Sequence, residues 1–148
     1  METMNLYQSF VEKFAQSTAT ASISELESVE STLKAELPGS YKNFIASFGA
    51  THNPTLLDVT VETDSDLSDL NEFVQVSNFV KFNEMYWSGG MPRTVYAFAT
   101  DCSGNAFCFE LSSDIGEVFL YDTDFNELES LELTFDQLLG EYLSLVGV

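Results

Sequence analysis

Basic residues are scarce. Five Lys plus Arg stand against 24 Asp plus Glu in 148 residues, a formal charge of −19 at pH 7. Proteins hold phosphate backbones with Lys and Arg, so nucleic acid is not expected as a partner. Long apolar runs are missing too: charged residues break each one well short of the roughly 18 residues that a bilayer span needs, so no membrane is expected either. The start, Met1 to Phe10, carries Glu2 and no apolar run ahead of a small-residue cleavage site. No secretory leader is visible, and a cytoplasmic location is the expectation. Cysteine is limited to Cys102 and Cys108, too few and wrongly spaced for a disulfide framework or a zinc site, so both are expected as reduced thiols.

The parts of common catalytic devices are also lacking. The one histidine, His52, precedes Asn53 and Pro54 in an expected loop, whereas a Ser or Cys nucleophile needs a positioned base. There is no GxSxG elbow, no HExxH and no glycine loop ending in Lys. With 24 acids some carboxylates will always lie close together, so their presence does not argue for glycosidase chemistry. No enzyme, cofactor or metal is expected. Asp122, Asp124 and Asn126 match the opening ligands of a helix-loop-helix calcium loop. The sharp-turn position then holds Glu127 and the closing position Leu133, so the match fails.

What the chain does have is apolar mass: 45% hydrophobic residues, with 13 Phe, 6 Tyr and one Trp, enough for one sizeable core and contrary to disorder. Met4, Tyr7, Val11 and Phe14 recur at helical spacing over about Asn5 to Gln16. Ser22 with Glu25 forms a capping box ahead of the stripe Ile23, Leu26, Val29 and Leu33. Pro38 opens a third helix lined by Tyr41, Phe44, Ile45 and Phe48, and Gly49 closes it. These three helices are expected to precede any strand. Leu57, Val59 and Val61 alternate with Asp58, Thr60 and Glu62, the pattern of a strand with one acidic wet face. Phe79, Val80, Asn83 and Tyr86 then predict a short helix before Gly89 and Gly90. Thr94 to Thr100, Ala106 to Leu111 and Val118 to Tyr121 predict an antiparallel meander, with turns at Ser103, Gly104, Asn105 and at Asp114, Ile115, Gly116. Thr134 with Gln137 is a second capping box, stapled by Leu133 and Leu138, and it starts a helix that buries Phe135, Leu138, Leu139, Tyr142 and Val146. The predicted class is α+β in a single domain over residues 1–148, with N-terminal helices, a meander and a C-terminal helix.

The acids are not spread evenly. From Asp101 to Glu141 there are 11 with no Lys or Arg among them, and a second cluster comprises Asp58, Glu62, Asp64, Asp66, Asp69 and Glu72. Unpaired acidic tracts repel one another and weaken the compact state, so such tracts point to a role beyond folding: a field that attracts and orients a basic partner. Solubility alone is the plain alternative. The candidate partner-binding residues are those six acids, a second patch of Asp122, Asp124 and Glu127, and Trp87 as an aromatic anchor or else a core residue.

Four pieces of the chain, in order, resemble the SMI1/KNR4 family, also called the SUKH superfamily. They are Glu27 to Phe48 with Leu37, Pro38, Gly39, Ser40, Tyr41, Lys42, Asn43 and Phe44 at its centre; Phe79 to Tyr86; Tyr96 to Phe109 with Asp101, Gly104 and Asn105; and Ser130 to Leu143. The similarity spans roughly residues 22–146. It implies an α+β fold and, for most bacterial members, an immunity protein that neutralises a toxin of a polymorphic or contact-dependent system, often a nuclease and here expected to be basic. The alternative it leaves open is a regulatory or scaffold module of the kind found among eukaryotic and viral members. The family has no catalytic residues to carry over, and it does not set the oligomeric state. Its signature positions also have plain packing readings, and the acidic stretch from Leu57 to Glu72 lies outside the family pattern.

Overall fold

A computed structural model describes residues 3–113 and 115–147. Met1, Glu2, Asp114 and Val148 lie outside the described residues, so the expected turn position Asp114 and the N-terminal Glu2 go without structural comment.

Local signals place most helices. Helix α1 covers Thr3–Phe14, α2 Ile23–Leu33 and α3 Gly39–Phe48. The Ser22 box forms as expected: its Oγ accepts from the Glu25 N–H, and the Glu25 carboxylate accepts from the Ser22 N–H at 3.1 Å. Pro38 caps α3, and Gly49 ends it at φ +88°, a conformation that glycine adopts without steric cost. The second box holds as well, with Thr134 Oγ1 accepting from Gln137 N–H and Gln137 Oε1 accepting from Thr134 N–H at 2.9 Å ahead of α6, Phe135–Leu145.

Two short strands interrupt the expected run of helices. Strand β1, Ser17–Ala19, lies between α1 and α2, and β2, Ala50–His52, follows α3. The expectation that three helices precede any strand is therefore corrected: three residues are too few to display a period of two. The stretch from Leu57 to Glu62 is a second correction. It forms helix α4, Thr55–Glu62, not a strand. Leu56 and Thr60, four residues apart, are its buried pair, and the alternation with Leu57, Val59 and Val61 is incidental to that spacing. The ambiguous stretch beyond it holds β3, Glu72–Phe73, and a 3₁₀ turn, Val76–Asn78, before α5, Phe79–Ser88.

The meander is longer than expected. Strands β4, Val95–Thr100, β5, Ala106–Glu110, and β6, Glu117–Asp122, are joined by β7, Glu127–Thr134, an eight-residue strand that the sequence reading passed over. Together the seven strands form one antiparallel sheet whose spatial order follows the chain, β1 to β7. The side chains of Asp122 and Asn126, which mimic a calcium loop in sequence, instead organise the β6–β7 turn. Asp122 Oδ1 accepts the N–H groups of Asp124 at 2.8 Å and Phe125 at 3.1 Å, and Tyr121 donates its hydroxyl to Asn126 Oδ1 at 2.6 Å.

The main core lies on one face of the sheet beneath α1, α3 and α6. Its centre is aromatic: the fully buried Tyr41 ring meets Phe98, Phe109 and Phe135 edge to face at 5.7–6.0 Å, and Phe98 stacks on Phe109 at 4.0 Å. Each such ring withdrawn from water contributes about 1.5–3 kcal/mol. Tyr7 fastens α1 to α6 by donating to Asp136 Oδ1 at 2.6 Å. The opposite face buries Val95, Ala97, Ala106, Cys108 and Tyr121, with Phe82, Tyr86 and Trp87 of α5 packed against it.

Helix α5 also solves a backbone problem. Strand β3 is so short that it pairs only with Ala99 and Thr100 of β4, which leaves the N-terminal half of β4 without a strand on that flank. Asn83 stands in for one. Its Nδ2 donates to Ala97 C=O at 3.0 Å, its Oδ1 accepts from Ala97 N–H at 2.6 Å, and Trp87 Nε1 donates to Val95 C=O at 2.8 Å. A ladder edge that would otherwise be buried unpaired is thus satisfied by side chains.

Candidate functional site

The first group of acids is held by α4 and the loop after it. Asp58 and Glu62 sit one helical turn apart on α4, both exposed, with exposed Leu57 and the 70%-exposed Val61 beside them. Asp64 and Asp66 follow in the exposed loop, and Glu72 is exposed on β3, in register with His52 and Thr100. Like charges at i and i+4 cost an isolated helix about 0.2–0.5 kcal/mol. Glu62 also stands at the helix C-terminus, where the backbone dipole disfavours an anion. Glu62 therefore works against the helix that carries it, whereas Asp58, in the first turn, is favoured by the same dipole.

Asp69 parts company with the other five. It is 4% exposed, so it does not present its carboxylate to the surface. Its Oδ2 has no hydrogen-bond partner, and burial first, with the nearby Asp101 charge adding to it, raises its pKa above the ordinary carboxylate value against weaker opposing hydrogen bonds from Cys102. Asp101 is buried as well but well served, by the N–H groups of Ser103 and Asn105 and by Asn105 Nδ2. It shapes the β4–β5 turn.

The second patch lies at the tip of the β6–β7 hairpin. Asp124 and Glu127 are exposed, Asp122 is half-buried, and Phe125 between them is 73% exposed. Glu129 on β7 joins them, a residue that sequence reasoning did not single out. Asp122, Glu127 and Glu129, together with Leu120, Phe125 and Leu128, line a shallow cleft of about 490 Å³. Trp87 is half-buried, its indole N–H occupied by Val95 and the Arg93 guanidinium 5.7 Å from its ring centroid.

Internal cations leave these carboxylates uncompensated. Among the described residues one ion pair forms, Lys42 Nζ to Glu30 Oε2 at 3.1 Å, and that carboxylate also accepts the Leu37 N–H at 2.8 Å. The pair closes the α2–α3 loop and involves none of the candidate acids. Nor do the described residues bring three or more His, Cys, Asp or Glu together as a metal cage.

The two thiols are not poised for nucleophilic work. Cys108 is buried and burial pushes its pKa far up; at exposed Cys102 desolvation acts first and the negative charges of Asp69 and Asp101 act in the same direction. Reactive cysteines need the opposite shift. Among the described hydrogen bonds none joins His52 to either thiol; its C=O accepts from Gln16 N–H at 2.8 Å, fixing β2 beside the end of α1. No helix is long and apolar enough to cross a membrane among the described residues.

Comparison with known proteins bears on this arrangement. No curated protein matches the chain. A family model does: that of the SMI1 / KNR4 family (SUKH-1) matches residues 20–141, from the start of α2 through most of α6.

Proposed function

The chain belongs to the SMI1 / KNR4 family (SUKH-1), a family known for generally non-enzymatic immunity proteins, and from that premise we propose that it neutralises a basic toxin by non-covalent docking. The observation that carries the reading is the set of exposed acids that, among the described residues, pair with no internal cation, on a chain with a charge of −19. Such a field speeds encounter with a positive partner, and its self-repulsion is relieved on binding. A nuclease is the toxin class that fits, because the groove in which it holds phosphates is positive and carboxylates can occupy it.

The first docking surface is Asp58, Glu62, Asp64, Asp66 and Glu72, with Leu57 and Val61 as its apolar centre; Asp122, Asp124 and Glu127 form the second. Asp69 drops out because it is buried. Action takes place in the cytoplasm of the producing cell, where the toxin would otherwise act.

Co-expression with the product of the adjacent gene tests this. Cells carrying both should survive expression that kills cells carrying the toxin alone. Reversing Asp58, Glu62, Asp64, Asp66 and Glu72 to Lys should abolish that protection while leaving the folded spectrum intact. Undiminished killing refutes the reading. A stable complex with a protein that is not toxic refutes it in favour of a scaffold module.

A further inference from the structure

Strand β7 ends the sheet. One flank pairs with β6 and the other, among the described residues, with no strand, yet it is the longest of the described strands at eight residues. Natural edges are blunted by brevity, Pro, charged side chains or a β-bulge. Strand β1, at the opposite edge, is three residues long. Strand β7 has no Pro and its charges are all negative, Glu127, Glu129 and Glu132. A register shift and the positive φ of Glu132 confine the regular edge to residues 127–130. The protection it carries is therefore a bulge beyond Ser130 and a charge that repels its own kind but not a basic strand.

The ladder tells which backbone groups face outward. Thr100 and Phe98 turn their C=O groups to Asn71 and Val74 on the β3 side. In an antiparallel sheet that orientation alternates residue by residue and strand by strand. Carried through the pairs Ala99 with Phe107, Phe107 with Leu120 and Leu120 with Glu129, it points Glu129 inward and Leu128 and Ser130 outward, their N–H and C=O groups free for another strand. The cleft lined by Leu120, Phe125, Asp122, Glu127 and Glu129 lies alongside. Its apolar part suits the methylene stem of a Lys or Arg and its carboxylates suit the head.

We propose that the outer edge of β7 takes up an extended Lys- and Arg-rich segment of the partner protein by β-strand addition, its backbone pairing at Leu128 and Ser130 and its basic side chains entering the carboxylate-lined cleft. The proposal rests on the binding function above and gives it a mode. Charge selects the occupant. A second copy of this chain would set Glu127, Glu129 and Glu132 against their own kind, and no Lys or Arg follows Arg93 to offset them.

The test uses the full chain, ¹⁵N-labelled, and an eight-residue peptide alternating Lys with Val. Its control carries Pro in place of the two central Val, which keeps the charge and removes the pairing. With the first peptide at about ten times its Kd, exchange of the Leu128 and Ser130 amides should slow about tenfold. The Pro control should leave those amides unprotected, and the double variant Glu127→Lys, Glu129→Lys should remain folded and lose the effect. Equal binding of both peptides, protection confined to α4, or no protection overturns the proposal. So does concentration-dependent protection of the same two amides without peptide, which would assign the edge to self-association. The toxin assay separates this from the parent reading: if the wild-type chain protects cells and the double variant protects equally, strand addition fails alone, whereas a wild-type chain that does not protect refutes immunity itself.

Discussion

Replacing Asn83 by Ala puts the side-chain substitute for a missing strand to the test. Three hydrogen bonds disappear: two donated by Nδ2, to Phe79 C=O and Ala97 C=O, and one accepted by Oδ1 from Ala97 N–H. Phe79 C=O lies within the first turn of α5 and keeps its helical role. The N–H and C=O of Ala97, fully buried, lose their partners on that flank. Each orphaned group costs about 1–3 kcal/mol, so the pair costs about 2–6 kcal/mol. The better helix propensity of Ala returns roughly 0.5 kcal/mol. The net loss, about 1.5–5.5 kcal/mol, is a large part of the roughly 5–15 kcal/mol that holds a domain folded, and at about 2–4 °C per kcal/mol it lowers Tm by roughly 3–22 °C. Thermal and urea unfolding followed by circular dichroism measure it. Asn83→Asp keeps the acceptor for Ala97 N–H but offers its C=O no amide donor at neutral pH, so it should also be destabilised. A loss below about 1 kcal/mol in Asn83→Ala would refute the claim that this amide completes the edge.

Other perturbations read separate parts of the account. Gly49→Ala asks for a side chain at φ +88° with its Cβ 2.7 Å from Ala19 C=O on β1, so it should cost roughly 1–3 kcal/mol or more; an unchanged Tm would contradict the geometry. Asp69 has its folded pKa raised by burial, so the folded state holds the proton more tightly than the unfolded one. Its contribution to stability is therefore full below the unfolded pKa of about 3.9 and is lost as pH rises through the raised folded value. Asn cannot titrate: the stability of wild type relative to Asp69→Asn should decline over that window and then level out, and a difference independent of pH would refute the assignment. Trp87→Phe orphans the buried Val95 C=O by removing its bond at 2.8 Å and should cost about 1–3 kcal/mol of stability while leaving partner affinity unchanged; a large loss of affinity in the folded variant would restore Trp87 as an anchor.

The parts of the fold that could be read were those whose cause is local. The boxes at Ser22 and Thr134 complete themselves within four residues, and Pro38 and Gly49 punctuate α3 wherever the rest of the chain goes. Reading failed where the cause is distant. Leu57 to Glu62 satisfies both periods over so short a span, and only the burial of Leu56 and Thr60 selects the helix. Strand β7 carries acids because its outer flank meets water, and its Leu residues divide between two faces: Leu128 beside Phe119 and Tyr121, Leu131 and Leu133 on the main core. A register shift and the positive φ of Glu132 interrupt the pattern further. The site was legible as a charge imbalance, not as a geometry. Nothing near Asp69 in sequence distinguishes it from Asp66, yet one is buried and the other exposed. Asn83 was visible as a position on a helix stripe, but its task belongs to Ala97, 14 residues away.

The central claim, a preformed negative surface that captures a positive protein, is tested most directly by stopped-flow association with the adjacent gene product across a salt series. Steered encounters approach about 10⁸–10⁹ M⁻¹s⁻¹ at low salt and fall towards about 10⁵–10⁶ M⁻¹s⁻¹ when screened. The account predicts that steep decline, with a slower and flatter series for the chain reversed at Asp58, Glu62, Asp64, Asp66 and Glu72. A rate constant that stays level from low to high salt, or one that the reversed chain reproduces, would contradict it.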